Sequence, residues 1–458
     1  MKTIFITIFD IFQLKNFFYT DFFKKLQTIP LKIVIIGSKR RIDYYTAAIN
    51  ESGNPNIVVE GVDMKMKINR IGFLFNAAKQ ASLNTSSGTS FFTQRARVMG
   101  KWKKYLFYKF FNVFFSNATG HKILNFLDDL IFPPGEFQYL FDKYKPDLVF
   151  STNLIASIDY RLLKDAKRNG VFSVSNLKSW DTTTMKGYLK MDANKLIAQN
   201  DIQKNEMIKY QQVPADKIVV LGNPGFDTYF SSEGLMTREE FCKYAHLDSA
   251  KNIIFINISA NFINPFPEDP IINVDKWISE GKIKHTAQIL ISPRNKYGFS
   301  QEFLNSCQNI VIHTTADKLD SGAKSNTVFE KIEIYDLKNC LKHADVVIST
   351  ASTITIEAAL LDTPIISIGF DFRPVNYWVS SAVRNVDEHF LPIRKTGGVV
   401  VAGSPEEFLN AINNYLENRQ LHKKERLEIT RQQAQFLDGK SGERIAKFLI
   451  SFLGDEVR

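Results

Sequence analysis

The sequence predicts an α/β chain of two doubly wound, Rossmann-like domains in series, facing each other across a cleft. Three observations predict it. Short β-branched runs alternate with helical patterns through both halves, as parallel sheets with crossover helices do. The length of 458 residues exceeds one ordinary core, so two domains are expected. The alternation breaks off around Gly222 to Leu247 and then restarts.

The elements follow in order. Thr3 to Phe9 (TIFITIF) and Lys32 to Ser38 (KIVIIGS) are strands separated by the helical pattern LKNFFYTDFFKKLQ, and Asn56 to Val62 continues the sheet. Lys145 to Thr152 is a further strand, followed by the helix DYRLLKDAKRNG, which Gly170 ends. VFSVSN (Val171 to Asn176) runs into LKSWDTTTMKG, and ANKLIAQN and KIVVLGNPGFD close the first half. In the second half NIIFINIS, AQILISPR, NIVIHTT, ADVVISTAST and TPIISIGFD are strands between helical segments. PEEFLNAINNYLENRQ and KSGERIAKFLISFLG are amphipathic helices near the C-terminus. The expected divisions are 1–228, 229–435 and a final helical segment, 436–458.

Composition narrows the function. Hydrophobic residues at 44% and charged residues at 23% are globular values and exclude wholesale disorder. A net charge of +10 favours acidic partners such as nucleotides or an anionic surface. No zinc-finger or RNP pattern occurs, so nucleic acid is not an expected partner. Cys242, Cys307 and Cys340 have neither metal spacing nor a disulfide framework, which fits a reducing compartment. Asp10 and Lys15 interrupt the apolar N-terminus, and no apolar run reaches the ~20 residues of a membrane helix. A cytoplasmic location is expected.

The basic, aromatic stretch Gly100 to Phe132 has two readings. It lies on an anionic membrane at the inner face of the cytoplasmic membrane, beside a lipid-linked acceptor. Alternatively it is buried in the first domain with its lysines reaching solvent, and this second reading is preferred.

Four constellations carry candidate chemistry. In STASTITIEAALL a strand ends at Ser349 and a helix follows a hydroxyl-rich turn. Unpaired N–H donors and the positive dipole end of a helix attract anions, so Thr350, Ser352 and Thr353 are candidate phosphate ligands, and Ser349 at the strand end is a further donor-binding candidate. Glu357, one turn on, is a candidate for a ribose diol. The competing reading is a plain N-cap in a capping box with the downstream glutamate. Arg294, after the strand AQILI, is a second phosphate candidate because a guanidinium clamps a diphosphate bidentately. SWDTTTMKG supplies Trp180, Asp181 and Lys186, with Asp181 a candidate general base or, more plainly, a turn or cap residue. Asp10, after the first strand, is a second base candidate. Gly222 and Asn223 in VVLGNPGFD suit a hinge or a nucleotide-facing turn, and His389 lies near the proposed cleft.

SWDTTTMKG, KIVVLGNPGFD, HADVVISTASTITIEAALLDTPIISIGFD, HFLPIRKTGGVVV and FLDGKSGERIAKFL, in this order, resemble a GT-B type glycosyltransferase. More narrowly they resemble bacterial surface-polysaccharide transferases related to CDP-glycerol glycerophosphotransferases and other capsule-type enzymes. The resemblance covers about Lys145 to Leu449. It implies a nucleotide-activated sugar bound by the C-terminal domain, a glycan or lipid-linked glycan acceptor on the N-terminal domain, no metal ion and no separate cofactor. It also implies a last helix crossing back to the first domain. Related transferases carry His-Pro where this chain has Ser292-Pro293, with Arg294 left to meet the donor phosphate. GNPGFD also resembles a turn of nucleotide-sugar 2-epimerases, which share the fold. Epimerase, polyol-phosphate transferase and non-catalytic nucleotide- or glycan-binding protein are the alternatives.

Overall fold

The computed structural model describes residues 1–9, 11–43, 45–46, 54–63, 70–155, 157–257, 266–291, 301–313 and 331–454. The chain forms two compact units. Unit 1 is Met1–Thr228 with Ala434–Arg458, and unit 2 is Tyr229–Gln433.

Unit 1 holds β1 (Lys2–Ile8), β2 (Leu31–Ser38), β3 (Ile57–Val62), β4 (Leu148–Ser151), β5 (Phe172–Asn176), β6 (Lys195–Ala198) and β7 (Ile218–Val220). They form one parallel sheet in the order β3-β2-β1-β4-β5-β6-β7. Ile4, Ile6 and Ile8 of β1 enter the core on one face, and Phe5 enters the core on the other. Burial on both faces explains why these strands read as continuous apolar runs rather than as alternations.

The single helical pattern expected after β1 is two helices, Ile11–Phe17 and Asp21–Gln27, with Thr20 extended (φ −118°, ψ 172°) before the second. The final helix, Ser441–Ile450, belongs to unit 1: the chain leaves that unit at Thr228 and returns at Ala434. Its Ile445, Ala446, Leu449 and Ile450 share the core of β1 and β2. Each large apolar side chain among them contributes about 1.5–3 kcal/mol by leaving water. Gly442 permits the approach, since a Cβ there would lie 2.8 Å from the Phe22 backbone nitrogen.

Unit 2 holds β8 (Asn252–Ile256), β9 (Ala287–Ile291), β10 (Ile310–Ile312), β11 (Val346–Ser349), β12 (Ile365–Ile368) and β13 (Val400–Ala402). Its sheet is also parallel, in the order β10-β9-β8-β11-β12-β13. The strand order reverses direction between β1 and β4 in unit 1 and between β8 and β11 in unit 2. Such switch points open a crevice at the carboxyl ends of the strands. The short edge strand β13 and the helix Lys423–Ala434 lie beyond the sequence expectation. The helix is held by Arg426, fully buried, whose guanidinium meets Asp362 at 3.0 Å and the Arg419 carbonyl at 3.0 Å.

One sequence reading is overturned. The stretch 100–132 forms two helices, Trp102–Phe115 and Ala118–Ile131, and the first is not buried: Tyr108 alone of its residues is. Its Trp102, Leu106, Phe110, Val113 and Phe114 are each more than half exposed. Apolar composition made the stretch look like core, but apolar residues occur on both faces of the helix and only one face is covered.

Candidate functional site

The hydroxyl-rich turn of unit 2 lies at the switch point. β11 ends at Ser349, and the Asn257 N–H that follows β8 donates to the Ile348 carbonyl at 2.9 Å. The carboxyl ends of these two central strands are therefore adjacent. Thr350 to Ser352 turn the chain, and the helix Thr353–Leu360 begins. Ser352 is the N-cap residue by backbone geometry (φ −152°, ψ 170°), but its side chain makes no capping hydrogen bond. A capping box is also absent, because the third helical residue is Thr355 and the glutamate falls two residues later.

Capping therefore does not account for Ser352, and three hydroxyls of this segment are left without a role in the fold. Ser349 Oγ, Ser352 Oγ and Thr355 Oγ1 are buried with no hydrogen-bond partner among the described residues. Leaving one buried polar group unsatisfied costs about 1–3 kcal/mol, so three in one turn is a substantial local penalty. Glu357, only 9% exposed, makes no hydrogen bond or ion pair among the described residues. Thr350 is buried and Thr353 is exposed on the first turn. The helix N-terminus adds free N–H donors and a positive dipole end. The arrangement suits an anionic group with several acceptor oxygens, bound by side-chain and backbone donors.

Thr355 is the residue sequence reasoning missed. Its signal was available: three positions after Ser352, it shares that residue's helix face. His389 is buried in unit 2, in the turn before the helix Leu391–Thr396. The segment ahead of it is tied to β12, since Asn385 accepts from Ser367 Oγ at 2.7 Å and donates to the Ile368 carbonyl at 2.9 Å. Ser367 is the register partner of Ser349, so this segment and the hydroxyl turn follow neighbouring strands. Arg294 and Asp10 lie outside the described residues.

In unit 1 the loop after β5 carries Trp180, Asp181 and Lys186. Asp181 precedes the short helix Thr182–Met185 but does not cap it with its side chain. Its carboxylate accepts from Ser179 Oγ and pairs with Lys186 Nζ at 2.9 Å. The loop is anchored from below: Gln203 donates to the Ser179 carbonyl at 3.0 Å, and Gln211 donates to the Thr183 and Gly187 carbonyls at 2.9 and 3.0 Å. Trp180 is buried.

Lys186 also lines a cavity of about 190 Å³ within unit 1, with Lys79, Tyr160, Arg161, Tyr188 and Lys190 on its wall. The charges around it are balanced. Asp128 meets Lys79 at 2.6 Å and Lys164 at 2.7 Å, and Lys190 meets Asp129 at 2.5 Å and Asp192 at 3.0 Å. Burial opposes ionisation of Asp128, but Lys79, Lys164 and Tyr160 overcome it and hold the carboxyl below its usual range. Burial pushes the Lys79 ammonium down, only partly offset by Asp128.

Gly222 and Asn223 also lie in unit 1, apart from the unit that carries the hydroxyl turn. Gly222 adopts φ +92°, a left-handed conformation that favours glycine, and a Cβ there would also meet Ser441 Oγ at 2.3 Å, so backbone conformation and the start of the final helix both call for a glycine. Asn223 accepts from the Gly225 N–H at 3.0 Å and donates to Gln199 at 3.2 Å. Both are explained by packing and capping. Among the described residues no group of three His, Cys, Asp or Glu side chains is placed to hold a metal ion.

No family model matches the chain, and neither does any curated protein. Solved structures do. A UDP-GlcNAc 2-epimerase from Neisseria meningitidis bound to UDP-GlcNAc is similar at a TM-score of 0.55 and 12% identity, over 98% of this chain and 100% of that one. The UDP-GlcNAc 2-epimerase from Methanocaldococcus jannaschii gives 0.52 at 14% identity, over 98% and 99%. The glycotransferase of kitacinnamycin gives 0.51 at 10% identity, over 99% of each. Likeness at this identity establishes the fold: two Rossmann-like domains of the GT-B type.

Proposed function

We propose, from this fold and the unpaired hydroxyls at its second switch point, that the chain is a glycosyltransferase acting on a nucleotide-activated sugar. The carrying observation is the trio Ser349 Oγ, Ser352 Oγ and Thr355 Oγ1, buried and without partners at a helix N-terminus. A diphosphate supplies the acceptor oxygens that this trio and the helix N–H groups lack. Glu357 is assigned to the ribose hydroxyls. Thr350, Thr353, Arg294 and His389 are further donor-side candidates.

In the reaction, an acceptor hydroxyl oxygen bonds to the anomeric carbon. The bond from that carbon to the phosphate oxygen breaks, and its electron pair leaves with the nucleoside diphosphate. Donors already in place stabilise the charge arising there. The hydroxyl proton passes to a carboxylate, for which Asp181 is the described candidate and Asp10 the alternative. Trp180 and Lys186 are assigned to the acceptor side, and the acceptor is proposed to be a surface glycan such as a capsule or O-antigen chain.

The UDP-GlcNAc 2-epimerases among the similar structures favour a second reading, in which the same turn holds a UDP-sugar whose C2 is inverted. One experiment covers both. The purified chain is incubated with UDP-, GDP- and CDP-activated donors, with and without a glycan acceptor, and products are resolved by chromatography. Acceptor-dependent release of nucleoside diphosphate supports the transferase. An epimeric nucleotide sugar supports the second reading, and release of CMP indicates polyol-phosphate transfer. The triple variant S349A/S352A/T355V should weaken nucleotide binding at least ~10-fold, the equivalent of about 1.4 kcal/mol. Absence of binding to every nucleotide tested overturns both readings.

A further inference from the structure

We propose that unit 1 docks on the surface of an anionic lipid bilayer through the helices Arg70–Ala81, Trp102–Phe115 and Ala118–Ile131. Just over half of the exposed large apolar side chains among the described residues lie between 71 and 130. Phe73, Phe126 and Leu130 are each 70% exposed, Leu106 63% and Phe114 61%. Scattered exposed apolar residues need no explanation, but a concentration of this kind marks an interaction surface.

The exposure is organised by helix face. On Trp102–Phe115 the five exposed apolar residues fall within about 120° of the helix circumference at 100° per residue. The opposite side is the one held by protein: Tyr108 is buried there, and Asn112 donates to the Ala81 and Leu83 carbonyls at 3.3 and 3.1 Å. On Ala118–Ile131 the exposed Ile123, Phe126 and Leu130 form a narrower stripe, while His121, Leu124 and Asp128 face inward. Asp128 is locked by Lys79 and Lys164, and His121 stacks on Tyr188 at 3.8 Å. The three helices pack on one another. Their outer stripes are therefore presented by a rigidly anchored layer rather than by loose segments. No helix among the described residues is long and apolar enough to cross a membrane.

Charge identifies the occupant. From Met64 to Leu127 the sequence carries eleven Lys and Arg and no Asp or Glu. The whole chain has a net charge of +10, so this stretch carries all of the excess and the remainder is close to neutral. Lys101, Lys103, Lys104, Lys109 and Lys122 are exposed and make no ion pair among the described residues. A second copy of this chain would oppose like charges across such a face. A bilayer with anionic headgroups accepts the aromatic and aliphatic side chains at its acyl boundary and the lysines at its surface. Trp102, at the start of its helix, has an amphipathic ring suited to that interface.

The test is co-sedimentation of the full chain with vesicles of phosphatidylcholine alone and of phosphatidylcholine mixed with phosphatidylglycerol. Binding is expected to the mixed vesicles, falling as salt rises, with a loss of about fivefold for each of Lys103, Lys104 and Lys109 changed to Gln. The variant L106S/F110S/F114S removes exposed side chains only; its retained thermal transition should accompany at least a ~10-fold loss of vesicle binding. Quenching of Trp102 by brominated lipid, abolished in W102F, reports insertion independently. Equal distribution with both vesicle types, or no quenching of Trp102, overturns the proposal. So does a dimer in sedimentation velocity that the triple Ser variant dissociates while vesicle binding is unaffected, which would assign the face to a second copy.

Discussion

Ser349, Ser352 and Thr355 contrast with three hydrogen-bonded buried hydroxyls of unit 2. Thr363 donates to the Leu341 carbonyl at 2.8 Å, Thr430 to the Ala359 carbonyl at 2.9 Å and Ser367 to Asn385 at 2.7 Å. Removing a bonded hydroxyl leaves its partner unsatisfied, whereas removing an unpaired one relieves a desolvation penalty. S367A should therefore cost about 1 kcal/mol of unfolding free energy, read from the urea midpoint. S352A and T355V should leave that midpoint unchanged or raise it while weakening nucleotide binding. Loss of stability in both would show the hydroxyls to be structural. Gly398 makes a different residue-scale demand: a Cβ would lie 2.5 Å from the Glu425 backbone, which cannot rotate away. G398A should cost about 1–3 kcal/mol in the same assay.

Among the elements, the final helix is the most informative. Asp227, from the far side of unit 2 in sequence, accepts from the Ser441 and Gly442 N–H groups at 3.0 and 2.7 Å and so caps the helix Ser441–Ile450. Burial raises the Asp227 carboxyl to about 6, against the pull of these two N–H donors. An ordinary aspartate titrates near ~3.9 in the unfolded chain. Between these values the native state binds more protons, so this group's contribution to stability falls as pH rises from about 4 to 6 and is at its least favourable above that. The change is on the order of 3 kcal/mol, and D227N should flatten it in thermal scans across that window. None of this is visible locally: the residue preceding the helix, Lys440, makes no side-chain cap, and the actual cap is more than 200 positions away. By contrast the parallel strands were legible because burial on both faces writes a continuous apolar run. β13 escaped because three residues at a sheet edge leave too short a run, although GGVVVA contains it. The helix Lys423–Ala434 escaped because its anchor is a buried arginine rather than an apolar stripe.

For the whole molecule, the path of the chain has consequences. Unit 2 is one continuous segment, whereas unit 1 is completed only after unit 2 has been made. Residues 229–433 should fold alone, giving a cooperative thermal transition. A chain ending at Gln433 should lose several kcal/mol from unit 1, because Ile445, Leu449 and Ile450 leave its core. Protease digestion of that truncation should consume unit 1 and spare unit 2. The sequence by itself determined the alternation of strands and helices, the two parallel sheets and the hydroxyl-rich strand-to-helix junction, because backbone preference and burial on a sheet are written in neighbouring residues. Tertiary structure alone decided that Ser349, Ser352 and Thr355 have no hydrogen-bond partner among the described residues, that the aromatic helix of 102–115 shows solvent an apolar face, and that Asp227 caps the last helix. Each of those depends on what distant parts of the chain place, or fail to place, against a side chain.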